Sequence, residues 1–349
     1  MQLETILSGI RPANRDAADA ARRRWDSIAK PLHGMGLLEE MLARIAGITG
    51  SPTVDIRKKC VAVFCADNGV VAEGVTQTGS EVTAIVAANM TRGQATVTNM
   101  ARVAGADVFV YDAGMLSDVP GTRRVKTARG THNLLEQPAM SRAEAERLLV
   151  VGTEAVRSLR DEGYRLIATG EMGIGNTTTS SAVASVLLGL DPRNVAGRGA
   201  GLSAEGVRHK AEVIAAAISR RRPDPADPVD VLAKVGGFDL AGLCGVFLGG
   251  AYYRVPILID GLISSVAALA AHRLCPAAGD CMLASHLSAE PAAARILSEL
   301  GLAAPLTCGM ALGEGTGAVA LMPLLDMAEA VYRHMPSFGE IDVEAYQPL

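Results

Sequence analysis

Four apolar, β-branched runs punctuate the chain, and each stops at an acidic residue beside a glycine. Residues 61–66 end at Asp67-Asn68-Gly69, 108–111 at Asp112-Ala113-Gly114, 166–169 at Gly170-Glu171, and 257–259 at Asp260-Gly261. Runs of this length with no polar alternation predict strands buried on both faces. Helical periodicity fills the intervals at 81–101, 142–161 and 207–218. Strand–helix alternation predicts an α/β protein with a parallel sheet and right-handed crossovers. Ligands bind beyond the carboxyl ends of such strands, which is the edge where the four acidic residues fall. Asp67, Asp112 and Asp260 also have an ordinary reading as turn or helix caps.

The ends of the chain follow a different pattern. Residues 12–26 and 36–46 predict amphipathic helices, and 324–334 another. The expected organisation is a large α/β unit over 56–322, with a small helical lobe built from 1–55 and 323–349. The proline-rich stretch 223–228 reads as a stiff loop too short to separate two cores.

Composition sharpens this picture. At 349 residues, 49% hydrophobic but only 3% aromatic, the chain suits a tightly packed α/β core rich in Ala, Gly, Val and Leu. The formal net charge of −4 and the brevity of Arg22-Arg23-Arg24 and Arg220-Arg221-Arg222 argue for solvated helix ends rather than a nucleic-acid surface. Six cysteines without a Cys-x-x-Cys pair read as free thiols of a reducing compartment. With Gln2, Glu4 and Arg11 at the start, and with Asp260 interrupting the apolar stretch 256–271, neither a signal core nor a membrane span is expected. A cytoplasmic protein is the expectation.

Three glycine-rich stretches carry the candidate chemistry: Gly170-Glu171-Met172-Gly173-Ile174-Gly175-Asn176-Thr177-Thr178, Val235-Gly236-Gly237-Phe238-Asp239, and Leu312-Gly313-Glu314-Gly315-Thr316-Gly317. Glycine lets a ligand approach the backbone closely, and a carboxylate beside it suits proton transfer or polar recognition. In the first stretch, the hydroxyl run 177–181 precedes an expected helix at 182–188 and reads as its capping region, a place for a phosphate monoester. A second glycine cluster at 197–201 offers further backbone donors. Lys210 reads either as a phosphate partner or, better from the residues alone, as a surface lysine. Glu314 reads either as a general base of raised proton affinity or as a solvated turn residue. Ser285-His286-Leu287-Ser288-Ala289-Glu290 either lines the same pocket or starts the next helix. The Gly-x-x-Gly-x-Gly spacing departs from the dinucleotide fingerprint, and neither a Gly-x-x-x-x-Gly-Lys loop nor a Gly-x-Ser-x-Gly elbow occurs. No metal-ligand spacing is found among the histidines.

These residues, taken together, resemble one known family. The matches run from Lys30-Pro31-Leu32-His33-Gly34-Met35-Gly36 through Ala66-Asp67-Asn68-Gly69-Val70, Asn89-Met90, Gly170 to Thr178, Lys234 to Asp239, Asp260-Gly261 and Ser285 to Glu290, ending at Leu312 to Gly317. The chain is similar to the nicotinate-nucleotide–dimethylbenzimidazole phosphoribosyltransferases. The resemblance implies a Rossmann-like sheet and transfer of phosphoribose from nicotinate mononucleotide to a benzimidazole, in assembly of the nucleotide of cobalamin. It implies Glu314 as general base; Gly173, Gly175, Asn176, Thr177, Gly199, Lys210 and Ser288 around the phosphate; Glu171 near ribose and base; and Met172, Ile174, Leu312 and Gly313 about the flat acceptor. Thr78 and Val86 fall beside the acceptor pocket, where some relatives carry serine and glutamine. A valine at 86 lacks a hydrogen-bonding amide, which leaves benzimidazoles, adenine-like purines and phenols open as acceptors. The resemblance further implies no cofactor, no metal, no nucleic acid and a homodimer. Two alternatives stand beside it: an oxidoreductase using a nicotinamide dinucleotide, and a nucleotide-binding protein without chemistry.

Overall fold

The computed structural model describes residues 1–346; the last three positions of the expected C-terminal lobe segment lie outside the described residues. The chain opens with three helices, α1 (Leu3–Gly9), α2 (Arg15–Ser27) and α3 (Leu37–Thr49). Strand β1 (Lys59–Ala66) is followed by α4 (Glu81–Thr91), α5 (Thr96–Ala104), β2 (Ala106–Gly114) and the short β3 (Arg123–Arg124). Next come α6 (Arg142–Asp161), β4 (Leu166–Met172), α7 (Asn176–Leu188), α8 (Ala204–Arg221), α9 (Pro228–Val235) and α10 (Phe238–Tyr253). The remainder is β5 (Ile257–Ile259), α11 (Leu262–Leu274), β6 (Met282–Ala284), α12 (Ala293–Glu299) and α13 (Thr316–His334).

The six strands form one parallel sheet in the order β3-β2-β1-β4-β5-β6. This is the doubly wound, Rossmann-like arrangement, with its switch point between β1 and β4. All eight residues of β1 are buried. Its side chains alternate between two apolar layers: Cys60, Ala62 and Phe64 face one core, and Val61, Val63 and Cys65 the other. That two-sided burial explains why the strands read as continuous apolar runs.

One layer is built by α6, α7, α10 and α11. Helix α10 is buried on every side from Phe238 to Ala251, so it has no polar stripe to mark it as a helix. It crosses α6 at very short range. A Cβ at Gly152 of α6 would collide with the Gly242 carbonyl and the Val246 amide, and one at Gly245 of α10 with the Leu149 carbonyl. The other layer brings Trp25, Leu42, Ile45, Val97, Leu321 and Leu325 onto β1.

Several sequence expectations need correction. The helical pattern at 81–101 is two helices, because Gly93 adopts φ +73° and ends α4 with a left-handed turn. The C-terminal helix begins at Thr316 rather than 324 and runs through Pro323. Burial of Ala318, Val319, Leu321, Met322 and Leu325 outweighs the one ladder bond that proline removes. Strands β3 and β6 add to the four expected from the apolar runs; at two and three residues they are too short to leave a pattern. We propose that residues 1–55 and 323–346 form a lobe packed on the 56–322 unit. Trp25 lies against Tyr332 at 5.1 Å, Arg24 donates to the Met335 carbonyl at 2.9 Å, and the Ala29 amide donates to the Pro336 carbonyl at 3.0 Å.

Gly152→Ala is expected to overpack the α6–α10 crossing by about 1–3 kcal/mol. That exceeds the roughly 1 kcal/mol alanine gains in helix propensity, so the midpoint of urea unfolding should fall.

Candidate functional site

The carboxyl ends of β4, β5 and β6 converge on one cavity of about 340 Å³. Glu171 and Met172 enter it from the end of β4, Gly173, Ile174 and Gly175 from the turn that follows, and Asn176 and Thr177 from the start of α7. Thr78 and Val86 reach it from the α4 side, Gly199 from the loop before α8, Ser288 from beyond β6, and Leu312, Gly313 and Glu314 from the turn before α13. Every residue that the resemblance assigns to the site lines the cavity except Lys210. Of the acidic strand ends, Glu171 and Asp260 line it, whereas Asp67 and Asp112 do not. Those two hold the loop after β2 instead: Asp67 accepts from the Leu116 amide at 2.7 Å, and Asp112 from the Met115 amide at 2.9 Å.

One end of the cavity is built for an anion. Gly175 takes φ 91° at the N-cap of α7 and leaves the helix start without a side-chain cap. The hydroxyl run does not precede the helix, as its sequence suggests; it lies inside it. Thr179 and Ser181 return their hydroxyls to the carbonyls of Asn176 and Thr177 (3.1 and 2.7 Å), as buried helical hydroxyls do. The amide dipoles of α7 therefore face the cavity unscreened by a cap. Lys210 is fully buried rather than a surface residue. Its Nζ donates to Thr177 Oγ1 at 2.7 Å and to the Gly197 carbonyl at 3.3 Å, bracing the anion end from behind. Burial pulls its pKa down to about 8, against the opposing pull of Glu290. The second glycine cluster is less free than expected, because the Gly199 amide donates to Glu290 Oε1 at 3.0 Å. Arg198 is the one lysine or arginine on the lining among the described residues, and it is exposed at the rim. Sequence reasoning misses it because an isolated arginine between glycines carries no motif.

Carboxylates lie in a dry setting beside the same helix start. Asn176 Nδ2 donates both to Glu171 and, at 3.0 Å, to Asp239 Oδ2. Burial pushes Glu171 up to about 8, opposed by the Asn176 amide and reinforced by Asp239. Burial likewise pushes Asp239 up to about 6, again against the Asn176 bond. Asp239 belongs to the second glycine stretch and braces this network from behind the lining.

Glu314 has a different partner for its carboxylate. Its Oε2 accepts from the Val97 amide at 3.1 Å, so it caps the start of α5, where Ala95 offers no side-chain acceptor. Burial raises its pKa, the Val97 bond lowers it, and the nearby negative charge of Asp260 raises it again. Its backbone sits at φ 61°, between Gly313 at 88° and Gly315 at 93°. A left-handed non-glycine residue costs on the order of 1–3 kcal/mol and persists only where surroundings enforce it. The segment after β6 enters the cavity rather than merely starting a helix, with His286, Ser288 and Glu290 all on the lining. Val75, Val82, Val86, Met172, Ile174 and Leu312 supply apolar walls of the cavity. The arrangement joins an anion cradle, an apolar slot and a carboxylate of raised proton affinity. Among the described residues, no cluster of three or more His, Cys, Asp or Glu is arranged to hold a metal ion.

Comparison with known proteins agrees with this geometry. A family profile described as phosphoribosyltransferase matches residues 10–343. The chain is 44% identical over 351 residues to the nicotinate-nucleotide–dimethylbenzimidazole phosphoribosyltransferase of Ruminiclostridium cellulolyticum, covering 100% of each. It is 43% identical over 336 residues to the protein of the same name from Escherichia coli O127:H6, covering 95% of this chain and 94% of the other. The crystal structure of CobT from Thermus thermophilus matches with a TM-score of 0.89 at 41% identity, over 95% of this chain and 100% of that one. Neither the oxidoreductase nor the non-catalytic alternative is favoured. The chain is an enzyme that transfers a phosphoribosyl group, and it belongs to the nicotinate-nucleotide–dimethylbenzimidazole phosphoribosyltransferase family.

Proposed function

We propose that the enzyme moves the 5-phosphoribosyl group of nicotinate mononucleotide onto 5,6-dimethylbenzimidazole or a related flat azole. Nicotinate and α-ribazole 5′-phosphate are the products, and the nucleotide of cobalamin is the end use. The observation that carries this reading is the convergence of the uncapped α7 start and the Glu314 carboxylate on one cavity with apolar walls. The 5′-phosphate sits against Gly173, Gly175 and Thr177, with Gly199, Ser288 and Arg198 closing around it and Lys210 holding Thr177 in place. The azole lies between Leu312, Met172, Ile174 and Val86, beside Thr78 and Gly313, with Glu171 and Asn176 toward the ribose.

One ring nitrogen of the azole attacks the anomeric carbon from the face opposite nicotinate. The bond from that carbon to the pyridinium nitrogen breaks, and its electron pair neutralises the ring's positive charge. Configuration inverts. Glu314 takes the proton from the second azole nitrogen as the first becomes bonded. Because the leaving group discharges itself, the protein's task is alignment, which contributes roughly 7–11 kcal/mol in favourable cases, together with removal of one proton. With an apolar Val86 in the slot, an azole without exocyclic polar groups leaves no buried donor unpaired. The reading includes a homodimer working in the cytoplasm; the exposed Ile85 and Val103, on α4 and α5, are apolar surface available to a second copy.

Glu314→Gln should lower kcat by about 10²–10⁴-fold while nicotinate mononucleotide still raises the melting temperature as in the parent. A base works deprotonated, and burial raises the proton affinity of Glu314. Parent kcat should therefore decline on acidification at a higher pH than an exposed glutamate would give, read from a pH–rate profile with benzimidazole saturating. Arg198→Gln should weaken nicotinate mononucleotide binding by about tenfold or more, the worth of one charge-assisted bond, with calorimetric titration as the measure.

A further inference from the structure

Asp260 is the carboxylate of the cavity that accepts three backbone amides from one helix start. It follows β5, is 3% exposed, and reaches across to the start of α13. Its Oδ2 accepts from the Gly315 amide at 3.1 Å, and its Oδ1 from the Gly317 and Ala318 amides at 2.8 and 3.1 Å. Gly315, the N-cap of α13, has no side chain to satisfy these donors, so Asp260 caps the helix from a distance. Glu314 is the residue directly before that cap and is held at φ 61°.

The turn has no slack on its other sides. A Cβ at Gly317 would collide with the His286 ring, and one at Gly313 with the Glu171 carboxylate. At Gly170 of β4, a Cβ would lie 2.5 Å from the Glu314 carbonyl. The ionisable groups facing the turn are thus Asp260, Glu171 and His286; from α5 comes only the Val97 amide, since Arg102 is exposed and bonded to Asn99. A buried carboxylate that accepts three amides is a strong clamp, because each charge-assisted bond forms where water cannot compete.

We propose that Asp260 is a positioning residue of the phosphoribosyl transfer: by gripping the Gly315, Gly317 and Ala318 amides, it enforces the left-handed turn that presents Glu314 to the acceptor azole. Its own negative charge, facing the same turn, keeps Glu314 a stronger base than position alone would make it. This rests on the reading of Glu314 as the proton acceptor, and the experiment separates the two.

The test is a double-mutant cycle of Asp260→Asn with Glu314→Gln, in the full-length enzyme with nicotinate mononucleotide and 5,6-dimethylbenzimidazole. Asp260→Asn keeps the volume and one acceptor but loses the charge. It should lower kcat by at least about tenfold, change the calorimetric affinity for nicotinate mononucleotide by less than about threefold, and shift the acid limb of the kcat profile to lower pH. In the Glu314→Gln background the same change should have no further effect on kcat, because the group it positions is gone. Equal losses in both backgrounds would mean that Asp260 acts independently of Glu314, and an unchanged kcat and acid limb would mean that it does not act at all; either overturns the proposal. If Glu314→Gln alone leaves kcat intact, the base assignment fails instead. Should Asp260→Asn not fold, hydrogen exchange on the parent still decides. The Gly315, Gly317 and Ala318 amides should be protected together, and exchange at the rate of an open turn would refute the clamp.

Discussion

The turn that carries Glu314 lies directly on the backbone of β4, and much of the site depends on that contact. Gly170 has no Cβ, so the Glu314 carbonyl can approach the strand, and Gly315 sits over Thr169 and Val61 where a side chain would not fit. Closeness of this kind is possible only at the switch point of the sheet, where crossovers leave β1 and β4 in opposite directions and open a crevice. The glycines are thus conditions of packing as much as of ligand access. The strain in Glu314 is held there by the buried surface of α13 and by the amides it offers to Asp260.

The cavity sorts its charges by depth. Carboxylates gather at the centre, where burial favours their protonated forms, while Arg198 stands at the rim in water. An anionic nucleotide approaching such a site meets a cation first, then a helix start, and finally groups that carry less negative charge than their count suggests. Asn176 is the hinge of this ordering. Its backbone opens α7, and its amide ties Glu171 to Asp239, so the helix start and the buried carboxylates share one residue.

Much of this is legible in the sequence, for identifiable reasons. Strands buried on both faces leave an unbroken apolar signature, so residues 61–66, 166–169 and 257–259 declare themselves, and the last two point their acidic ends at the site. Glycine-flanked carboxylates declare the lining. What stays hidden is whatever depends on long-range partners. Lys210 reads as a surface residue because nothing near it in sequence announces Thr177 and Gly197 as neighbours. Asp67 and Asp112 have the same local look as Asp260, yet only Asp260 finds another helix to cap. Helix α10 has no amphipathic stripe because it is enclosed on all sides, and β6 is too short to show a period.

The bond from the Val97 amide to Glu314 links the reacting chamber to a surface helix. A charged carboxylate draws that amide more strongly than a neutral acid does, so the charge on Glu314 bears on how firmly α5 is anchored. The same helix displays Val103 on the outside, 87% exposed. The outer face of α5 is thereby joined to the cavity through a single hydrogen bond.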